Sequence, residues 1–109
     1  MSDKKWRDGE RYRHGDFYIP RYMMPAIKAY IDDGTIPGDF LQAIICNKFS
    51  EVCALADDEN LRNLAAYAVF FYNEVPAMAC GSKENMIAWH TLRTKTKEET
   101  KEETDERRT

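Results

Sequence analysis

Between Leu61 and Val75 apolar side chains recur at helical spacing: Leu61, Leu64, Ala65, Ala68, Phe71, Tyr72 and Val75 fall at i, i+3, i+4 and i+7. Tyr67 and Phe70 lie on a second face of the same segment. A helix that is apolar on two faces has to be surrounded, so this stretch predicts a central, largely buried helix around which shorter elements wrap. Pro76 ends it, because the residue before a proline is driven out of the helical conformation. The acids Asp57, Asp58 and Glu59 stand directly before the segment. Clustered carboxylates do acid–base work or hold cations in other settings. Here Asp57 is placed as an N-cap, and the other two acids meet the positive end of the helix dipole.

The rest of the chain supplies short helices for that centre. From Tyr22 to Asp33, Met24, Ile27 and Ile31 repeat at helical spacing, widened by Met23 and Tyr30, and Gly34 is a C-terminal stop. Pro25 fits this helix if it stands in the first turn, where no backbone donor is lost. Pro37-Gly38 marks a turn, and a second helix is predicted from Asp39 to about Cys46 on Phe40, Leu41, Ile44 and Ile45. Asn47 is suited to end it or to cap the next helix. That third helix, about Phe49 to Ala56, has Val52, Cys53 and Leu55 as its inner residues. Residues 76–81 read as an apolar loop folded over the core. Ser82 caps a last helix of about Lys83 to Leu92 that packs through Met86, Ile87 and Trp89. The predicted fold class is therefore all-α, a bundle of about five short helices. Residues 1–18 form a basic and aromatic arm without periodicity, whose Trp6, Tyr12, Phe17 and Tyr18 are expected to pack back on the body, 19–92 the helical domain and 93–109 a charged tail.

The tail holds the tetrapeptide K-E-E-T twice and no apolar residue beyond Arg93, so it either frays or continues as a solvated helix. A hydrophobic content of 43% with 12% aromatics is too high for disorder, which fixes the class as globular. The longest apolar run, Leu64 to Tyr72, is too short to span a membrane, and the polar N-terminus has no signal-peptide core. A cytoplasmic location is expected. Cys46, Cys53 and Cys80 are odd in number and lack C-x-x-C spacing, so they signal neither a disulfide framework nor zinc and read as small apolar fillers.

The formal net charge of −3 divides unevenly. The arm is weakly basic, whereas residues 15–92 hold twice as many acids as bases. An acidic body repels phosphate, so nucleic-acid binding falls to the arm: Lys4, Lys5, Arg7, Arg11 and Arg13 to neutralise phosphates, Trp6 and Tyr12 to stack on bases. Asp8 and Glu10 interrupt that set, and Asp3 precedes it. No P-loop, G-x-G-x-x-G, nucleophile elbow or H-E-x-x-H occurs. His14 and His90 have no cysteine or carboxylate at a ligand spacing. Neither catalytic nor metal-binding residues are assigned, and no cofactor is implied. The segment from Phe71 to Ser82 is the better candidate for binding. Tyr72, Asn73 and Glu74 close the central helix beside the apolar loop, and Gly81 and Ser82 open the last helix, where exposed amides favour a small polar or anionic ligand. Asn73 and Glu74 equally suit the plain task of satisfying helix-end groups.

Several separated blocks share one pattern: I-P-x-x-M at 19–23, I-K-x-Y-I-x-x-G at 27–34, P-G-x-F-L-x-A-I at 37–44, Asn47, Ala56-Asp57, Asn60, Y-N-E-x-P at 72–76, Gly81-Ser82 and Trp89. The pattern resembles a family of small proteins of unassigned role encoded by tailed bacteriophages and prophages. Lys48 departs from it, standing where an acid is expected. The resemblance implies a non-enzymatic accessory protein in the bacterial host cell, one that inhibits an anti-phage defence system by binding a host defence protein or sequestering a nucleotide signal. A nucleic-acid-binding regulator that uses the arm, or a structural self-assembling protein, are the other classes left open. A body this small buries a modest share of its surface, so a homodimer is expected.

Overall fold

Phe70 lies at the centre of the core, fully shielded from solvent. Three aromatic rings meet it edge to face: Trp6 and Tyr12 at 5.0 Å and Phe71 at 5.4 Å between centroids. Each such pair adds about 0.5–1.5 kcal/mol to the burial of the rings. The computed structural model describes residues 5–108, and side chains within residues 6–95. Six helices make up most of it: α1 (Met24–Asp33), α2 (Asp39–Ile45), α3 (Phe49–Leu55), α4 (Asp58–Arg62), α5 (Leu64–Asn73) and α6 (Lys83–Arg108). One antiparallel pair of two-residue strands, β1 (Arg13–His14) and β2 (Phe17–Tyr18), precedes them. The all-α class stands, with one more helix than expected.

The predicted central helix is present but broken at Asn63. This residue is buried, and its side chain is committed elsewhere: Oδ1 accepts from the Tyr18 amide at 2.9 Å and Nδ2 donates to the Glu59 carbonyl at 2.9 Å. Asp57 caps α4 as expected, accepting the Asn60 amide at 2.8 Å. The inward face of α5 is Ala66, Tyr67, Phe70 and Phe71. Ala65, Ala68 and Tyr72, expected inside, are exposed, as is Leu61 of α4. The core face of α5 thus centres on Tyr67 and Phe70, the predicted second face, joined by Phe71 from the first.

α1 begins at Met24 with Pro25 in its first turn, after a 3-10 turn at Arg21–Met23. Gly34 closes it in the left-handed region, with φ 74°. The last turn of α1 is then held by α6. Trp89 Nε1 donates to the Tyr30 carbonyl at 3.0 Å, Arg93 donates twice to the Asp32 carbonyl, and His90 Nδ1 sits 2.7 Å from the Gly34 carbonyl. Helix ends leave carbonyls without intrahelical partners, and here a neighbouring helix supplies the donors.

α2 ends on Asn47, whose φ of 62° is left-handed. The amides of Asn47 and Lys48 return to the carbonyls of Ile44 and Ala43, at 3.1 and 2.9 Å, which is the paired bonding of a Schellman end. Two expected packing residues are turned outward: Leu55 of α3 is 47% exposed and Ile87 of α6 also 47%. Ser82 caps α6, its Oγ accepting the Asn85 amide at 3.0 Å. That helix runs unbroken through the charged repeat to Arg108. The apolar loop is a 3-10 turn at Ala77–Ala79 with Ala79 buried, and the Tyr30 hydroxyl donates to the Ala79 carbonyl at 2.6 Å.

Candidate functional site

The arm contributes to the core. Trp6 lies in a 3-10 turn (Lys5–Asp8) and is 2% exposed. Its indole N–H points to the Glu74 carboxylate at 3.4 Å. Arg7 pairs with Asp32 at 3.0 Å while lying over the Trp6 ring, and Arg11 lies over the ring of Tyr18. A ring buried in this way offers no face to a nucleotide base, and two of the guanidinium groups are engaged within the protein. Arg13 is exposed on β1. Lys4 and the Lys5 side chain, the remaining candidates for phosphate contact, lie outside the described residues.

The five residues of the candidate ligand junction separate into three environments. Asn73 and Glu74 turn toward the arm. Burial chiefly, and then the Glu74 carboxylate, push the Tyr12 hydroxyl pKa up, with Asn73 opposing. Ser82 is occupied as the cap of α6. Tyr72 and Gly81 border a common hollow.

That hollow is an apolar groove of about 510 Å³ between α3 and α5. Phe49 and Val52 of α3 form one side, and Leu64, Ala68, Phe71 and Tyr72 of α5 the other. Ile44 and the buried Tyr67 line its base, and Ala77, Cys80 and Gly81 close one end. Among the described residues Lys48 is the one charged side chain in the lining. Phe49 and Tyr72 stand at the rim, 71% and 88% exposed. Phe49 carries no signal of this role in the sequence, where Val52, Cys53 and Leu55 read as the inner residues of its helix.

The remaining chemistry is quiet. Burial pushes the thiols of Cys46 and Cys80 up, away from the thiolate that nucleophilic or metal-binding roles require. Cys46 donates to the Met86 sulfur at 3.8 Å, and Cys80 faces the Phe71 carbonyl at 3.8 Å. Burial raises the hydroxyl pKa of Tyr30 and of Tyr67. Asp57, the acid with the best claim to a role, is held below the usual carboxylate range by the Asn60 amide and then the Tyr22 hydroxyl, which donates to it at 2.8 Å. Its lone pairs serve the cap. Among the described residues no three His, Cys, Asp or Glu side chains are grouped as a metal ion would require. A second hollow of about 320 Å³, lined by Asp39, Glu51, Lys48 and Lys83 among others, mixes both signs of charge. Among the described residues, no helix is long and apolar enough to cross a membrane.

Comparison with protein-family models, with curated proteins and with solved structures finds no match to this chain.

Proposed function

We propose that the chain is a non-enzymatic bacteriophage accessory protein, working in the host cytoplasm, that inhibits an anti-phage defence system by occupying a surface of a host protein. The observation that supports occupancy is the groove between α3 and α5, an apolar hollow flanked by two aromatic side chains held out in solvent. Large uncovered apolar patches mark places where a soluble protein meets another molecule. Elsewhere the polar groups are turned to holding the fold: every buried side-chain nitrogen and oxygen among the described residues has a partner. Of the two modes of inhibition the resemblance implies, contact with a host protein fits this lining better than capture of a nucleotide signal. Phosphates need several donors or cations, and the groove brings one lysine.

The test is plating efficiency. Expression in bacteria carrying a panel of defence systems restores phage plating in at least one host, and Tyr72→Arg, which places a charge at the groove rim, abolishes the rescue. No rescue across the panel removes the anti-defence reading.

A further inference from the structure

α5 carries no charged residue between Leu64 and Asn73. Its inward face fills the core, yet Ala65, Ala68 and Tyr72 on the outward side are exposed. A helix apolar on every side is one that neighbours enclose, and among the described residues nothing covers this face. We propose that a second copy of the chain covers it. The two α5 helices cross antiparallel about a two-fold axis at Ala68, and Tyr72 of each copy enters the groove of the other. The inference rests on reading the groove as a protein-contact surface, which the second copy occupies until a host protein displaces it.

Register supports a self-match. Leu64, Ala68 and Tyr72 are four residues apart along α5 and all line the groove, so they form one row on the helix surface. With Ala68 on the axis, an antiparallel partner sets its Tyr72 against Leu64 of the first copy, and the reverse contact follows by symmetry. This is the reciprocity that an isologous interface demands. The small Ala68 side chain at the crossing lets the two backbones approach closely, as packed helices require.

The type of occupant follows from the walls. α3 and α5 have their backbone groups bonded internally, so an extended strand laid between them would lose partners for its own amides and carbonyls. A helix keeps them. Charge narrows the choice further. Residues 15–92 carry twice as many acids as bases, so two copies repel each other over most of their surface. The α5 face and the groove are where two copies meet without opposing carboxylates, since among the described residues Lys48 is the one charge in the lining. The area is adequate as well. Tyr72 and Phe49, at 88% and 71% exposure, together offer roughly 250–400 Å² per copy on the usual areas of aromatic side chains. Two residues thus supply a third to a half of the roughly 800 Å² per partner of a stable interface.

Sedimentation equilibrium of the full chain at micromolar concentration tests the pairing. Wild type is expected at twice the chain mass, and Tyr72→Arg and Ala68→Glu at the chain mass, each with unchanged helicity by circular dichroism. Ala68→Cys, on the axis, forms a reducible covalent dimer under a mild oxidant, whereas Ala26→Cys on the exposed side of α1 does not. A monomeric wild type, or a dimer that survives both charged substitutions, overturns the proposal. Plating separates it from the function it rests on. A monomeric wild type whose rescue still depends on Tyr72 removes the dimer and leaves the groove to a host protein. A dimer dissociated by Tyr72→Arg with rescue intact keeps the pairing and removes the groove as the host contact.

Discussion

Gly34 allows the packing of α6 on α1 to be tested by a single methyl group. Two separate costs meet there. Its φ of 74° is left-handed, a conformation costing an L-residue about 1–2 kcal/mol, offset by about 0.4–1 kcal/mol because alanine also restricts the unfolded chain. A Cβ on Gly34 would also lie 2.7 Å from the Arg93 Cβ and 3.2 Å from both the Cα and the carbonyl oxygen of His90. None of these is the far end of a flexible side chain, so α6 itself must move. Overpacking of this kind costs about 1–3 kcal/mol, and the shift loosens the Arg93 bonds to the Asp32 carbonyl. Gly34→Ala is therefore expected to lose roughly 2–4 kcal/mol, a fall in Tm of roughly 10–20 °C for a domain of this size. Gly15 is the control. Its φ of 61° is also left-handed, but a Cβ there meets nothing within 4 Å, so Gly15→Ala is expected to lose about 1 kcal/mol or less. Urea titrations of both variants at neutral pH measure the difference. Equal losses would refute the close approach of α6 to the end of α1.

Trp6→Ala removes a buried ring from the contact with Phe70 and is expected to cost about 3–5 kcal/mol by thermal or urea unfolding; a loss below 1 kcal/mol would mean that the arm is not core. Tyr67→Phe deletes the hydroxyl that donates to the buried Asn60 Oδ1 and leaves that oxygen without its donor, for a loss of about 1–3 kcal/mol. The pKa of Asp57 is depressed in the folded state. Its contribution is accordingly complete above the unfolded carboxylate value of about 4 and is lost as pH falls through the lower folded value. Asp57→Asn keeps a capping oxygen but cannot titrate, so its stability should fall less than that of wild type between pH 5 and pH 2 (values set by the ~3.9 reference), as read by urea midpoints. In a gel shift at low salt, single-stranded DNA should not be retarded, because Trp6 is buried and Arg7 is paired with Asp32.

The residue types alone determined that this chain is helical and where most helices begin and end. Gly34, Pro25, Asp57 and Ser82 act through the conformation of their own backbone or the nearest few amides, and such short-range physics is written in the local sequence. The core list around Ile27, Tyr30, Ile31 and Trp89 was legible for the same reason, since each sits on one consistent stripe. What only the tertiary structure decided depends on groups distant in sequence. Asn63 stands at the break of the central helix with its side-chain oxygen bonded to the amide of Tyr18, far upstream, and Tyr72 and Ala68 of the helix that follows face away from the core. The arm, whose aromatics were expected to pack back on the body and whose bases kept an option on nucleic acid, is held at particular partners that the sequence did not name: Phe70, Glu74 and Asp32. Two of the five residues of the expected ligand junction, Tyr72 and Gly81, came to the groove; the others were drawn to the arm and to a helix cap. Periodicity reports which side chains share a helix face, but it cannot say which face a neighbour covers. The uncovered face of α5 and the groove beside it depend on how elements distant in sequence pack, which no local stretch encodes.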